Sequence, residues 1–260
     1  MAGRDTIRAV SVIDSPIAVL ASGFGGLSVC DAISRALPKE DVVLLADHAY
    51  APYARRRATV VRDRLTRLAD ELVSERAPKL LVLASAQGCA DALELLRARL
   101  APLPVIGIDG IIAQASARSG LGRVALLTGD SCLRGAQLAR SLKYERAGGL
   151  VTWGAVAGLR EAVEGGLDTH DLVAAEVSRL TAAGVDAIAL GCPHASAVAA
   201  QVKRAAGESV VVVDCAALAA ERTRRLLMRG DLTARRRRPG RRVLVSSNPA
   251  LGQRGLAGRV

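Results

Sequence analysis

Aromatic residues are almost missing from this chain: one Trp, one Phe and three Tyr in 260 residues. That scarcity removes the stacking surface on which single-stranded nucleic acid is held, and it leaves the core to Ala, Val, Leu and Ile. Lysine is also rare, at four of the 36 Lys and Arg residues, so guanidinium groups carry nearly all of the positive charge. The five cysteines, at 30, 89, 132, 192 and 215, form no Cys-x-x-Cys pair and have no histidine at ligand spacing, which argues against a zinc site. Their odd number in a long chain points to a reducing compartment. No apolar run reaches the ~18 residues of a membrane-spanning helix. Arg4 and Arg8 precede an apolar stretch that ends in Ala21-Ser22-Gly23, as in a secretory leader, but Asp14 and Pro16 interrupt it, and 16–26 reads better as a strand and a turn. A soluble, cytoplasmic protein without a membrane partner is expected.

Half of the residues are apolar, enough for a substantial core, and at ~100–200 residues per domain the length favours two domains over one. Short apolar runs at 17–20, 42–46, 80–84, 105–108, 124–127, 187–190 and 209–213 read as buried strands. Between them 58–76 places Val61, Leu65, Leu68 and Leu72 at helical spacing, and 90–100 and 173–183 follow the same period. Strand, helix, strand in this rhythm predicts an α/β fold with mostly parallel sheets, in which ligands gather at the carboxyl ends of strands.

The chain also repeats itself. Leu83-Ala84-Ser85-Ala86-Gln87 and Leu190-Gly191-Cys192-Pro193-His194 each follow an apolar run, and Ser85 and Cys192 lie 107 positions apart. The same offset carries Ala18-Val19-Leu20 onto Ala125-Leu126-Leu127 and Ser22 onto Gly129. Val105-Ile106-Gly107-Ile108-Asp109 matches Val211-Val212-Val213-Asp214 with a slip typical of loop lengths. These matches predict two pseudo-symmetric three-layer α/β domains, 1–107 with 218–260 and 108–217, with a cleft between them. One side of that cleft offers the thiol of Cys192, the other only the hydroxyl of Ser85.

Ser22-Gly23-Phe24-Gly25-Gly26 closes the first strand and opens a helix, so its backbone N–H groups can receive an anion. It is not a dinucleotide fingerprint, because Ser28 occupies the third glycine slot. The net charge of +11 is concentrated at the end of the chain, where Arg235 to Arg238, Arg241 and Arg242 surround Pro239-Gly240. Nucleic acid is a partner such a cluster can take through 235–242. A solvated basic linker is the plainer reading and is preferred, because no aromatics interleave the arginines.

Taken together, 17–29 (IAVLASGFGGLSV), 47–53 (DHAYAPY), 79–90, 104–107, 187–194, Val213-Asp214 and Ser246-Ser247-Asn248-Pro249 follow one order, and the chain from about residue 16 resembles the glutamate racemases of the aspartate/glutamate racemase family. The resemblance implies two pseudo-symmetric α/β domains around a small dicarboxylate amino acid, no cofactor and no metal, a homodimer as the expected assembly, and a role in supplying D-glutamate for peptidoglycan. It further implies two-base chemistry, in which one cysteine thiolate removes the α-proton while a second thiol returns one to the opposite face. The implied catalytic positions are Cys192, His194 and the degenerate Ser85. Ser22, Gly23, Pro52, Tyr53, Ala54, Ala86, Gln87 and Pro193 would line the substrate.

At those positions the chain departs from the family. Asp-Ser-Gly becomes Ala21-Ser22-Gly23, Ala-Cys-Asn-Thr becomes Ala84-Ser85-Ala86-Gln87, Gly-Cys-Thr-His becomes Gly191-Cys192-Pro193-His194, and Tyr-Gly becomes Tyr53-Ala54. The family glutamate expected after Val151 has two candidates, Glu161 and Glu164. An unactivated serine hydroxyl is too weak a base to replace a thiolate at neutral pH. The lost side-chain donors to an ionic ligand are worth roughly 1.5–3 kcal/mol each. Three functions stay open: a racemase-like protein with lost or altered racemisation, a one-cysteine isomerase or decarboxylase-type enzyme using Cys192, and a binding protein working through its arginines. Cys30, Cys89, Cys132 and Cys215 read as packed thiols, His170 as surface, and His48 as either a site group or a loop histidine.

Overall fold

The computed structural model describes residues 12–129, 150–248 and 250. Arg4, Arg8, Cys132 and Pro249 lie outside them. Among the described residues nine strands build two fully parallel sheets. The first contains β1 (Ile17–Ala21), β2 (Val42–Ala46), β3 (Leu80–Leu83), β4 (Val105–Gly107) and β9 (Arg242–Ser246), in the order β4-β3-β1-β2-β9. The second contains β5 (Arg123–Gly129), β6 (Leu150–Val156), β7 (Ala187–Leu190) and β8 (Val211–Asp214), in the order β6-β5-β7-β8. Read from the other edge, β8-β7-β5-β6 repeats β4-β3-β1-β2, so the sequence repeat is also a repeat of topology. β3 and β7, which deliver Ser85 and Cys192, each lie beside the strand that opens their sheet.

The helices are α1 (Gly26–Ala36), α2 (Ala58–Arg76), α3 (Ala86–Leu100), α4 (Ile111–Ser116), α5 (Leu159–Gly165), α6 (His170–Ala182), α7 (Pro193–Ala197), α8 (Ala199–Ala206) and α9 (Cys215–Arg229). The central strands are buried on both faces, as in β1, where every residue from Ile17 to Ala21 is inaccessible, and this is why they read as unbroken apolar runs. α2 buries Val61, Leu65, Leu68 and Leu72 along one stripe and stops at Ala77, whose φ of 40° is left-handed. α1 packs on both α7 and α9, which brings the glycine-rich loop of the first sheet against the second. Among the described residues no helix is long and apolar enough to cross a membrane.

Two parts differ from the sequence reading. β6 was not expected, because it is an edge strand with only partial, alternating burial and its sequence (LVTWGAV) has no continuous apolar run. The arginine cluster is largely exposed, as a solvated linker would be, but it is tied down. It forms a strap that feeds β9 onto the first sheet, and four of its six guanidinium groups are held by carboxylates, three of them by partners distant in sequence: Arg236 by Asp41 and Asp14, Arg238 by Asp41, Arg242 by Asp31, and Arg235 by the nearer Asp231. Partial burial pushes the Asp41 carboxyl up. Hydrogen bonds from Arg238, the Arg241 N–H and Arg236 outweigh it and hold the group well below the usual carboxylate range. Beneath the strap Lys79 and Glu40 form a fully buried ion pair at 2.6 Å. Lys79 Nζ also donates to the carbonyls of Ile13 (2.7 Å) and Leu232 (2.8 Å), and Glu40 accepts from the Ala234 N–H at 2.7 Å.

Candidate active site

Ser85 and Cys192 occupy the same structural position: each is extended, follows the last residues of its strand, and stands immediately before the next helix. Their side chains do different things. Ser85 Oγ accepts the Gly88 N–H at 3.1 Å, the usual work of an N-cap serine, and among the described residues it has no other hydrogen-bond partner. The Cys192 sulfur does not cap its helix, which has Pro193 at the first position, and it engages the side chain of His194 instead.

Both residues open into one cavity. Its lining contains every site position expected from the sequence, Ser22, Gly23, Pro52, Tyr53, Ala54, Ser85, Ala86, Gln87, Cys192, Pro193 and His194, and adds Gly25, Gly26, Ala84 and Arg160. The lining comes from the carboxyl ends of β1, β3 and β7, the loop after β2, and α5. The empty space within this lining is about 430 Å³, open solvent included. α5 of the second sheet sends two charged heads, Arg160 and Glu164, towards the glycine loop of the first. A Cβ on Gly23 would lie 2.4 Å from Glu164 Oε1 and 2.9 Å from an Arg160 nitrogen, so glycine at this position is what admits them.

Glu164 Oε1 lies 2.9 Å from His194 Nε2 and 3.2 Å from the Arg160 guanidinium. Of the two glutamates considered from sequence, Glu164 is thus the one that contacts the lining residues His194 and Arg160. Burial opposes a charge on His194, yet the hydrogen bonds and charges of Cys192 and Glu164 outweigh it and raise the imidazole to about 9. Burial likewise pushes Glu164 up, and the His194 hydrogen bond with the Arg160 charge holds it below its ordinary value. The outcome at neutral pH is an imidazolium between a carboxylate and a sulfur, the setting that stabilises a thiolate. His194 reaches this place because Gly25 lacks a side chain: a Cβ there would be 2.9 Å from the ring. Ser28 Oγ, 2.8 Å from the carbonyls of both Gly25 and Pro193, ties the glycine loop to the turn that carries His194.

Around this centre other polar groups are already engaged. The Tyr53 hydroxyl donates to Asp47 Oδ2 at 2.9 Å, and Asp47 is also held by Arg64, so the phenol edge is fixed in the wall. Burial and the Asp47 charge keep that phenol protonated. Gln87 is turned along α3 onto Asp91. His48 does not line the cavity. Its Nδ1 meets Ser246 Oγ at 2.9 Å and its ring tilts against Phe24, so it fastens the loop after β2 to β9. Cys89 donates to the Leu83 carbonyl at 3.2 Å within the core, and Cys30 and Cys215 are buried as expected. Arg160 was not expected from the sequence, where it is one of many arginines. A buried arginine on an otherwise ordinary amphipathic helix has no local signature. Among the described residues no group of three or more His, Cys, Asp or Glu side chains could hold a metal ion.

No protein-family model matches the sequence. The glutamate racemase of Deinococcus radiodurans is 36% identical over 242 residues, which cover 90% of this chain and 83% of that protein. Among solved structures, glutamate racemase isoform RacE1 of Bacillus anthracis superposes with a TM-score of 0.76 at 25% identity, covering 90% of this chain and 89% of its own. The glutamate racemase of Thermus thermophilus, solved with β-chloro-D-alanine, gives 0.73 at 27% identity over 95% of both chains. With this identity over most of its length, and with two parallel sheets enclosing a cavity at their carboxyl ends, the chain belongs to the glutamate racemase family.

Proposed function

We propose that this family member binds a small amino-acid dicarboxylate in the cavity between its two domains but does not carry out two-base racemisation. The observation that carries the reading is the unequal use of the two equivalent helix caps. Cys192 is paired with His194 and, through it, Glu164. Ser85 caps α3, and among the described residues no carboxylate or imidazole is hydrogen-bonded to its hydroxyl to withdraw the proton. A hydroxyl in that state does not abstract an α-proton at neutral pH. The domains we assign are 1–107 with 218–260, and 108–217. This division is supported by β9 returning to the first sheet, and a cytoplasmic site of action by four buried free thiols.

The Cys192 half favours one further possibility: proton exchange on a single face of the ligand, with the sulfur as acceptor and donor and His194 as its counter-charge. The test is incubation of the full chain with D- and L-glutamate and with D- and L-aspartate in deuterated water, following the α-proton by NMR. Single-face exchange replaces the α-proton of one enantiomer without inversion and disappears in Cys192→Ala. Absence of exchange leaves binding as the function of the cavity. Exchange accompanied by inversion would overturn the proposal.

A further inference from the structure

Arg160 is 8% exposed, yet among the described residues its guanidinium makes one ionic contact, the 3.2 Å approach to Glu164, and no hydrogen bond. A guanidinium has five N–H donors in a fixed fork. Burying that fork without partners is costly, and the geometry that satisfies it best is a bidentate carboxylate. Glu164 does not supply this, because the oxygen nearest Arg160 is also the one bonded to His194 at 2.9 Å. Of the other lining side chains only His194 carries positive charge, and it is engaged by Glu164 and Cys192; Pro52, Ala54, Ala84, Ala86 and Pro193 offer none. The notch at Gly23 shows that the loop opposite is shaped to let these charged heads enter.

We propose that Arg160 is the ligand-recognising cation of this cavity and takes one carboxylate of a small amino-acid ligand as a bidentate pair, with Glu164 partly filling that role when no ligand is bound. The inference rests on the reading that the cavity binds such a ligand, and it names the residue that selects it. Arg160 thereby replaces, from the second domain, donors that Ala86 and Pro193 do not provide. The carboxylate enters beside the guanidinium while Glu164 remains on His194, so the cation that binds and the pair that holds Cys192 are separate.

The experiment is calorimetric titration of the full-length chain and of Arg160→Met with D-glutamate and L-glutamate, and with glutamine and isoglutamine, in which one or the other carboxylate is an amide. Loss of a charge-assisted pair is expected to weaken glutamate binding about 10- to 100-fold, and to abolish the preference for glutamate over one of the two amides. Arg160→Ala should regain part of that preference when methylguanidinium is added, which a purely structural role would not allow. Arg160→Lys, which keeps the charge and loses the fork, is expected to fall between the two. Equal affinities for wild type and Arg160→Met would overturn the assignment of Arg160 alone. Failure of the wild-type chain to bind any of these ligands would overturn the underlying reading and the inference with it.

Discussion

Glu164→Gln removes the carboxylate that His194 contacts at 2.9 Å while preserving its size. In the unchanged chain burial works against the imidazolium, and Cys192 and Glu164 together overcome it, taking the group from 6.5 to about 9. That interval corresponds to on the order of 3 kcal/mol of net preference for the charged ring after the burial penalty, so the two partners together contribute more than this. Withdrawing one of them is expected to bring the His194 titration down by at least about one pH unit. Because the folded value lies above the unfolded one, the contribution to stability is complete below pH 6.5 and is lost as the pH rises through about 9. Glu164 behaves in the opposite sense: its folded value lies below 4.5, so its contribution is present above that pH and is lost as the pH falls through the lowered value. The stability difference between wild type and Glu164→Gln should therefore be largest between about pH 4.5 and 6.5 and should shrink towards pH 9. The chain has three histidines, so ring proton–carbon NMR resolves His194 from His48 and His170. Urea unfolding from pH 5 to 10 supplies the stabilities. A His194 that titrates near 6.5 in the wild type, or one unmoved by the substitution, would refute the electrostatic account of this half of the site.

Three other substitutions test separate parts of the structure. Gly25→Ala places a methyl 2.9 Å from the His194 ring and should displace it, lowering its titration and costing about 1–3 kcal/mol by thermal unfolding. Lys79→Met leaves Glu40 buried without its cation and is expected to destabilise the chain by about 3–5 kcal/mol in urea, part of which Glu40→Leu in the same chain should restore. Ser85→Ala removes the cap on α3, with an expected cost near 1 kcal/mol, and should leave any single-face α-proton exchange at Cys192 unchanged.

The fold was legible because its central strands are buried on both faces: Ile17–Leu20, Val42–Ala46 and Ala187–Leu190 leave no ambiguity in an apolar run, and the offset of Ser85 from Cys192 reappears in the matching strand orders. β6 escaped because an edge strand with partial burial needs no such run. Apolar period alone shows α3 only from Ala90, whereas the cap at Ser85 sets its start at Ala86. The cavity lining could be read from residues at strand ends, where chain position and spatial position coincide. Arg160 and the choice of Glu164 over Glu161 could not, because they depend on how α5 of one sheet faces the glycine loop of the other. The arginine strap was hidden for the same reason: Asp14, Asp31 and Asp41 are some 200 residues away in sequence, and only the parallel pairing of β2 with β9 brings them to it.

Chiral chromatography shows whether the Ser85 side of the two-base site still works. Pure D-glutamate and pure L-glutamate are each incubated with stoichiometric protein over days, beside a no-protein control. Each enantiomer is expected to remain itself, whatever exchange of its α-proton Cys192 supports. Convergence of both samples on a racemic mixture, lost in Ser85→Ala, would contradict the account and place a working base at Ser85.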